Sequence, residues 1–148
     1  LRVRHGGSLS YALIDLDHFK KVNDTYGHPS GDRVLRGLSR LLRQRFRQTD
    51  LIGRYGGEEF VVVLPNTPPQ IAMRLIDSVR EAFSRINFYS EKQIFNVTFS
   101  AGIAGAPPYM DATILQGEAD KALYQAKAAG RNQIYLAAPY VLSAESSA

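Results

Sequence analysis

The amino-acid sequence predicts an α+β fold, an α/β sandwich in which a central mixed sheet of about five strands is flanked by helices. Three features predict it. Strand-like segments alternate with long helical segments that are apolar on one face, LSYALIDLD is an apolar run typical of a buried strand, and RYGGEEF places two glycines between two β-rich segments. With 148 residues and 45% hydrophobic content, residues 1–148 are expected to form a single domain with its own core.

The first strand, LSYALIDLD, ends in two carboxylates, Asp15 and Asp17, which stand two positions apart and therefore point to the same side of the sheet. HFKKVNDTYG is a short helical or turn-rich link closed by Gly27, and Ser30 or Asp32 is placed to begin the next helix. Apolar residues at a 3.6-residue period then predict an amphipathic helix of about 15 residues. These residues are Val34, Leu35, Leu38, Leu41, Leu42 and Phe46.

Arginines recur at steps of three and four along the same segment and predict a basic stripe on one helix face. They are Arg33, Arg36, Arg40, Arg43 and Arg47. Such rows are most often a solvated face. The net charge of +4 is compatible with nucleic acid or with the phosphate of a small ligand. Because no basic tail and no interleaved aromatics accompany the arginines, we expect no nucleic-acid partner.

The segment RYGGEEF predicts a tight hairpin, because primed turns need positive φ and glycine adopts it without steric cost. Gly56 and Gly57 form the predicted turn, and Glu58 and Glu59 are carried at its tip. Two adjacent carboxylates repel each other unless a positive group lies against them. A metal cation is one candidate for that group.

The second half of the chain completes the fold prediction. After PNTPPQ, apolar residues at helical spacing mark an amphipathic helix, IFNVTFSAGIAG alternates as a half-covered strand does, and ATILQGEADKALYQAKAAG is helical with Gly130 as its stop. QIYLAAP is the last predicted strand. The helix markers are Ile71, Leu75, Val79, Ala82, Phe83 and Ile86, and the strand residues on one face are Phe95, Val97, Phe99, Ala101 and Ile103.

Composition excludes several classes of site. The chain has no cysteine, so it has neither disulfides nor thiolate metal sites, and any metal takes oxygen or histidine ligands. This fits a reducing compartment, and we expect a cytoplasmic location. No apolar run is long enough to span a bilayer, and the first residues lack the apolar core of a signal peptide, so we expect no membrane contact from this segment.

The two acidic clusters predict a metal site if the first strand lies beside the hairpin in the sheet. Asp15 and Asp17 end that strand, and Glu58 and Glu59 lie at the hairpin tip. Oxygen ligands suit Mg²⁺, which takes one or two carboxylates and leaves the remaining positions to water and substrate phosphates. Such a site supports phosphoryl transfer. The alternative is that Asp17 caps the next helix and the glutamates are solvated.

Three segments, DLDHFKKVNDTYGHPSGD, RYGGEEF and ADKALYQAKAAGRN, resemble the GGDEF family of diguanylate cyclases in its GGEEF variant, in the same order and spacing. The resemblance covers nearly the whole chain. It implies a domain similar to the catalytic cores of adenylyl cyclases and palm-type polymerases, which joins two GTP molecules into cyclic di-GMP and releases pyrophosphate. The D-x-L-T-x-L-x-N-R block that usually precedes the first strand is missing. We therefore expect the C-terminal output domain of a longer protein, whose missing regions could anchor it in a membrane.

By position, the resemblance implies that Asp15, the backbone carbonyl of Leu16, and Glu58 bind Mg²⁺ or Mn²⁺, with two ions per half-site. Glu58 is also implied as the base for the 3′-hydroxyl and Glu59 as a supporting acid, so the implied catalytic residues are Asp15, Glu58 and Glu59. Because a base so close to Mg²⁺ should have a depressed pKa, polarisation of the hydroxyl by the metal can matter more than the basicity of Glu58.

The resemblance also implies how the substrate is bound. Asn23 and Asp32 match residues that read the guanine edge, and a carboxylate can accept from guanine N1–H and N2–H₂ together. Family members that accept ATP have a serine in place of that aspartate, so Asp32 favours GTP. Structural roles remain the alternative for Asp32, as a helix-start residue, and for His28, which lies near the pocket. The implied phosphate contacts are the backbone at Phe19, with Lys20, Gly56, Gly57, Lys127 and Arg131.

The segment RQTD lies just before the hairpin. In the family an RxxD at this offset forms a product-inhibition site, which implies that Arg47 binds a phosphate and guanine of cyclic di-GMP and that Asp50 binds a guanine edge. A guanidinium suits this because it binds phosphate in a bidentate manner and stacks on a base. Strongly inhibited members add an arginine from the following helix. The aligned residue here is Ser78, so Arg74 is the expected helper.

Catalysis implies a homodimer, because each half-site holds a single GTP. Three other functions remain as alternatives. A catalytically silent cyclic di-GMP receptor would keep RxxD alone, but the intact Asp15, Asn23, Asp32 and GGEEF segment argue against it. A small polymerase-palm or adenylyl-cyclase-like enzyme would differ in nucleotide selectivity. A purely structural α/β module would leave the paired acids unexplained.

Overall fold

The computed structural model of the chain describes residues 7–91, 93–107 and 111–138. The chain order is a strand, two helices, a β-hairpin, a helix, a small second hairpin, a strand, a helix and a final strand. The elements are β1 (Leu9–Leu16), α1 (Phe19–Tyr26), α2 (His28–Arg45), β2 (Leu51–Tyr55), β3 (Glu59–Pro65), α3 (Pro69–Ser84), β4 (Phe88–Ser90), β5 (Gln93–Phe95), β6 (Phe99–Ala106), α4 (Ala112–Ala128) and β7 (Ile134–Leu136). Among these helices, none is long and apolar enough to cross a membrane.

The central sheet has five strands in the order β2-β3-β1-β6-β7, which confirms the predicted mixed sheet. The central strand β1 pairs antiparallel with β3 on one side and with β6 on the other. The edge strand β2 is antiparallel to β3, and β7 at the opposite edge is parallel to β6. The first strand therefore lies beside the hairpin, which is the condition for the two acidic clusters to converge.

Helices cover both faces of the sheet, as the predicted sandwich requires. On one face, α2 and α3 pack on alternate residues of the strands, with Leu38, Leu42, Ile76 and Phe83 fully buried against Ile14. On the other face, α4 packs on the intervening residues. This second layer of the core contains Leu9, Tyr11, Leu13, Val63, Ala104, Leu115, Ala119 and Leu123.

The strand β6 is buried along its whole length, so the prediction of a half-covered strand is wrong. The reason is that α4 lies directly against its second face. A Cβ atom at Gly102 would lie 2.2 Å from the carbonyl oxygen of Ala119 and 2.3 Å from the backbone nitrogen of Leu123. Small residues on this face of β6 therefore let a helix backbone approach the sheet closely.

The segment IFNVTFSAGIAG, predicted as one strand, is divided into β5 and β6. The pairing breaks at Asn96, whose side-chain amide donates to the carbonyl of Ile86 at 2.7 Å and to Asn87 Oδ1 at 3.0 Å. The first part of the segment then pairs with β4 in a separate two-stranded sheet, which the sequence did not predict. Alternation of apolar residues continues through the break, so it carries no signal of it.

The helix α2 begins at His28, earlier than the predicted starts at Ser30 or Asp32. Its N-cap is Gly27, whose φ of 90° is readily adopted by glycine. Pro29 fits the first turn because the backbone N–H that proline lacks would have no partner there. No side chain caps this end of the helix, which is why a search for capping side chains places the boundary too late.

The arginine stripe ends before Arg47, because α2 ends at Arg45 and Arg47 lies in the turn that follows. Not every arginine of the stripe points freely into solvent. Arg33 donates to the hydroxyl of Ser30 at 2.8 Å and to the carbonyl of Tyr89 at 2.9 Å, so it joins α2 to the small β4–β5 sheet.

The buried face of α3 differs by one position from the predicted face. Two predicted markers, Ile71 and Leu75, are each 40% exposed, whereas Val79 and Phe83 are buried as predicted. Adjacent apolar stripes both satisfy a helical period, and contact with the sheet decides which of them is buried. The buried residues of α3 are Ala72, Ile76, Val79 and Phe83.

Candidate active site

The acidic residues of the first strand and of the hairpin meet at one end of the sheet. Asp15 on β1 lies directly opposite Glu59 on β3, and Ser100 on β6 lies opposite Asp15 on its other side. Directly opposed residues of antiparallel strands project to the same face, with Cβ atoms about 4.5–5.5 Å apart. The two acidic clusters therefore converge as the sequence predicts.

The hairpin turn has three residues, Gly56, Gly57 and Glu58. Only Gly56 has a positive φ, at 75°, so the predicted two-residue primed turn with both glycines at positive φ is wrong. The turn is held against the end of β1, because the backbone N–H of Leu16 donates to the carbonyl of Glu58 at 3.2 Å. The guanidinium of Arg54 donates to the carbonyl of Gly57 at 2.8 Å.

Burial raises the pKa of three carboxyl groups at this end of the sheet. Asp15 is 5% exposed; its pKa is lowered in part by the hydrogen bond and charge of Lys127 and raised by the charge of Asp17. The charge of Asp15 further raises the pKa of Glu58 and of Glu59. Burial is the largest cause of all three shifts, and at Glu58 and Glu59 the charge of Asp15 adds to it more than Lys127 offsets. A bound cation would favour the ionised form of all three carboxyl groups.

Two cations from the end of α4 lie beside these acids. The ammonium of Lys127, in the last helical turn, donates a hydrogen bond to the Asp15 carboxylate. Arg131 lies in the turn that follows, and its charge lowers the pKa of Asp15. Both residues are among the predicted phosphate contacts, and both are therefore placed at the carboxylate edge of the sheet.

The residues at this edge fit a divalent cation bound through oxygen. The described part of the chain has no group of three or more His, Asp or Glu side chains that forms a metal cage by itself. The predicted ligands need no such cage, since they are two carboxylates, Asp15 and Glu58, and the backbone carbonyl of Leu16. Mg²⁺ commonly takes one or two carboxylates and keeps water or phosphate in its other positions, and an all-oxygen donor set suits Mg²⁺ or Mn²⁺.

An open cleft of about 370 Å³ lies between α1 and the hairpin turn. Lys20 at its rim is solvent-exposed and pairs with Asp24 at 3.3 Å. The predicted substrate residues of α1 and the hairpin line this cleft, together with two predicted catalytic residues. The substrate residues are Phe19, Lys20, Asn23, Gly56 and Gly57, the catalytic residues are Glu58 and Glu59, and Tyr55 lines the cleft in addition.

The predicted guanine-reading residues lie on neighbouring helices. Asn23 is on α1, and its side chain packs against α2 at Gly31, where a Cβ atom would lie 1.9 Å from Asn23 Oδ1. Asp32 follows Gly31 in α2 and lines a different groove, between α2 and the strands of the hairpin. His28 is exposed in the first turn of the same helix. The absence of a side chain at Gly31 thus lets the Asn23 side chain lie against α2, one residue before Asp32.

The predicted inhibitory residues Arg47 and Asp50 form an ion pair at 2.9 Å. The Asp50 side chain is only 2% exposed. Arg47 also donates to the carbonyl of Pro65 at 2.9 Å and to the hydroxyl of Thr67 at 3.1 Å. In the chain alone, the RxxD pair is therefore engaged in contacts within the fold.

Arg74, the arginine predicted to help Arg47 bind the product, lies on α3 beside β7. Arg74 lines a groove between α3 and β7, together with Met73 and Ile134. Ser78 instead accepts a hydrogen bond from Arg45 at 3.0 Å. The association of Arg74 with Arg47 stays a prediction, and Arg45 is the arginine in contact with the aligned position.

Asp17 does not have the capping role considered from the sequence. It is not the helix cap, since the N-cap of α1 is His18 and no side chain caps that helix. Its carboxylate instead accepts hydrogen bonds from Thr98 and Ser100 on one side and from the backbone N–H of Asn132 on the other. These partners are far away in the sequence, so no local pattern predicts them.

The family described as "Diguanylate cyclase, GGDEF domain" matches residues 2–133 of the chain. One relative is the diguanylate cyclase DgcP of Pseudomonas aeruginosa, which is 42% identical over 136 residues, covering 92% of this chain and 20% of that protein. The chain spans between 20% and 35% of the length of the first three curated relatives it matches.

Two solved structures are similar to this one in fold. The active GGEEF domain of a diguanylate cyclase from Vibrio cholerae superposes with a TM-score of 0.84 at 34% identity, covering 90% of this chain and 85% of that one. The GGDEF domain of DgcB from Caulobacter crescentus, determined in complex with c-di-GMP, gives a TM-score of 0.85 at 30% identity, covering 90% and 80%.

Proposed function

Since the chain belongs to the GGDEF family of diguanylate cyclase domains, we propose that it joins two molecules of GTP into cyclic di-GMP. In each half of the reaction, the 3′-oxygen of one GTP forms a bond to the α-phosphorus of the other. The bond between the α- and β-phosphates breaks, pyrophosphate leaves with the electron pair, and the hydroxyl proton passes to a base. Both halves together release two pyrophosphates and make one ring.

The observation that carries this proposal is the position of Asp15 opposite Glu59, with Glu58 joined to the same strand end through the N–H of Leu16. Acidic side chains from separate parts of the sequence meet beside an open cleft. Phosphoryl transfer to a hydroxyl needs a cation that neutralises the phosphate charge, and the carboxylates beside the cleft supply oxygen ligands for such a cation. A purely structural module would have no use for two glutamates whose pKa is raised by burial and by the charge of a nearby aspartate.

Asp15, Glu58 and the carbonyl of Leu16 are the groups that would hold Mg²⁺ or Mn²⁺. When bound, these ions, two per half-site, would neutralise the phosphate charge and polarise the 3′-hydroxyl. Glu58 lies at the turn facing the cleft, where it can accept the hydroxyl proton, and Glu59 supports it. Burial and the charge of Asp15 raise the pKa of Glu58 in the chain without metal. A bound Mg²⁺ would lower that pKa, so polarisation of the hydroxyl by the metal would contribute more than the basicity of Glu58.

The remaining residues of the site bind and orient the nucleotide. Asn23 and Asp32 read the guanine edge, with His28 at the rim of the pocket. The triphosphate lies over the glycine turn and the N-terminal end of α1, near Phe19. Lys20, Lys127 and Arg131 supply its positive partners.

Catalysis requires two copies of the chain. One half-site holds one GTP, and the 3′-hydroxyl of that GTP must face the α-phosphate of the GTP in the other half-site. A homodimer with its clefts facing each other meets this requirement, and it can form transiently. Specific activity would then rise with protein concentration until the dimer is saturated.

We further propose that cyclic di-GMP inhibits the enzyme by binding at Arg47 and Asp50. Arg47 is exposed on one side but already donates to Asp50, Pro65 and Thr67. The product must therefore share or replace these acceptors. Arg74 on α3 is the proposed helper.

The function is tested by incubating the chain with GTP and Mg²⁺ at high protein concentration and identifying the products by mass spectrometry, with Glu58→Gln in parallel. The proposal predicts cyclic di-GMP from the parent and none from the variant. Equal product from both would exclude the role of Glu58. No product at any protein concentration, with cyclic di-GMP bound and the binding lost in Arg47→Ala, would support the silent receptor instead.

A further inference from the structure

A buried carboxylate that the proposed reaction does not use lies next to the site. Asp17 is 5% exposed. Its carboxylate accepts from the hydroxyls of Thr98 and Ser100, each at 2.7 Å, and from the backbone N–H of Asn132 at 3.0 Å. The same N–H also lies 3.1 Å from the Ser100 hydroxyl. Asp17 is thus an acceptor for three donors, one of which belongs to a turn after α4.

That turn has an unusual backbone. Gly130, Arg131 and Asn132 all have positive φ, at 118°, 65° and 49°. Glycine adopts such angles freely, but other residues rarely do so. Two successive non-glycine residues in this conformation persist only where the surroundings fix them. The hydrogen bond from Asn132 to Asp17 is one such fixing contact, and it is charge-assisted.

A second contact fixes the turn from the outside. Arg80 on α3 donates to Asn132 Oδ1 at 2.9 Å and to Asp77 at 2.8 Å, and its side chain is only 16% exposed. The turn also continues the end of α4, because the backbone N–H of Arg131 donates to the carbonyl of Ala126 at 3.0 Å. Contacts on both sides therefore leave the backbone at Arg131 little freedom.

The turn carries Arg131 and follows Lys127, the two cations beside Asp15. Arg131 is close enough to Asp15 for its charge to lower the pKa of that carboxyl group. The direction in which Arg131 leaves the backbone depends on its φ of 65°. An ordinary helical or extended backbone at this residue would point the guanidinium elsewhere.

We propose that Asp17 is a positioning residue, which clamps the turn 130–132 and so directs the Arg131 guanidinium to the triphosphate of GTP. Asp17 itself contacts neither nucleotide nor metal in this account. This inference rests on the proposed function for the identity of the ligand. The clamp itself does not, because it consists of contacts within the fold.

The clamp is tested first without any nucleotide, by amide hydrogen exchange of Asn132. Asp17→Ala removes the acceptor, and exchange at Asn132 is expected to become at least about tenfold faster, since a hydrogen bond to a charged group is lost. Asp17→Asn keeps one acceptor oxygen and should give a smaller increase, which guards against a fold that does not tolerate alanine. Glu118→Ala, an acid on α4 that pairs with Lys121, is the control. Unchanged exchange at Asn132 in folded Asp17→Ala would overturn the clamp.

The positioning role is tested by comparing the binding of GTP and of guanosine, followed by NMR. Asp17→Ala and Arg131→Ala are each expected to weaken GTP binding by about tenfold or more, while guanosine binding stays unchanged. The double variant should lose no more than Arg131→Ala alone, because the two residues act through one contact. Additive losses, or equal losses for GTP and guanosine, would overturn this role. A parent chain that binds no GTP would instead refute the proposed substrate, and the exchange data would still decide the clamp.

Discussion

The ammonium of Lys127, in the last turn of α4, donates a hydrogen bond to the carboxylate of Asp15, at the end of β1. Lys127 is thereby the larger of the two compensating positive charges at Asp15 in the chain alone, and Arg131 is the smaller. It is also a proposed ligand of the triphosphate, and Asp15 is a proposed ligand of the metal. Binding of metal and nucleotide should therefore separate this pair, with Lys127 passing from carboxylate to phosphate.

Lys127→Met is expected to destabilise the metal-free chain, because it removes the hydrogen bond and the larger of the two positive charges that compensate the buried Asp15. The expected loss is about 1–2 kcal/mol in the free energy of unfolding by urea, at the lower part of the range for a charged hydrogen bond since Lys127 is partly exposed. Lys121→Met, at an exposed lysine of the same helix, is the matched control. Saturating Mg²⁺ should reduce the loss. Equal stability of the two variants would contradict the prediction.

Gly102→Ala is expected to be one of the most damaging small substitutions in the sheet. Its Cβ would lie 2.2 Å from a backbone oxygen of α4, and a helix backbone cannot yield as a side chain can. We expect a loss of about 3 kcal/mol or more in urea unfolding.

Gly117→Ala provides the comparison within α4, because no atom lies within 4 Å of the added Cβ. It should stabilise the chain by about 0.5–1 kcal/mol, through helix propensity. If Gly102→Ala unfolds at the same urea concentration as the parent, α4 does not pack on β6 as described.

Gly57→Ala separates the folding role of the hairpin glycines from their proposed functional role. Gly57 does not have positive φ, and no atom lies within 4 Å of an added Cβ. Its stability should therefore change by less than about 0.5 kcal/mol, whereas a methyl group facing the triphosphate should lower GTP cyclisation about tenfold or more.

Gly56→Ala, in contrast to Gly57→Ala, is expected to destabilise the chain in urea unfolding. Gly56 has a φ of 75°, so alanine is strained there by about 1 kcal/mol.

For Gly57→Ala, full cyclase activity would show that Gly57 has no role in nucleotide binding.

Arg47→Ala is expected to weaken the binding of cyclic di-GMP, measured by isothermal titration calorimetry. A guanidinium that binds a phosphate in a bidentate manner contributes at least about tenfold to affinity. The control is Arg85→Ala, since Arg85 is an exposed arginine that pairs with Glu81. Equal affinities in the parent and Arg47→Ala would exclude Arg47 from the proposed inhibitory site.

The sequence predicted most of the fold because burial imposes a local pattern. The central sheet, the helices on its faces and the stop at Gly130 all follow from apolar periodicity and turn residues. The predictions of buried faces were wrong where contact with a distant element determines which face is buried. The face of α3 that is buried depends on the sheet, and the second face of β6 is buried only because α4 covers it.

Within the site, the meeting of Asp15 with the hairpin was predictable because a strand end and an adjacent turn explain it. The contacts of Asp17 were not predictable, because its partners lie far away in the sequence. Thr98, Ser100 and Asn132 are 81, 83 and 115 positions from it. Ser100 and Thr98 carry no motif by themselves. The backbone conformation at Asn132, which makes the contact possible, also cannot be read from residue type.

The most direct test of the central claim is to supply the chain with an equimolar mixture of ordinary and heavy-isotope GTP, with Mg²⁺, and to record the product by mass spectrometry. A cyclase that joins two GTP molecules makes light, mixed and heavy cyclic di-GMP, with the mixed species most abundant, and Glu58→Gln makes none. An enzyme that cyclises a single nucleotide makes light and heavy product in equal amounts and no mixed species. That result would contradict the account and indicate a mononucleotide cyclase.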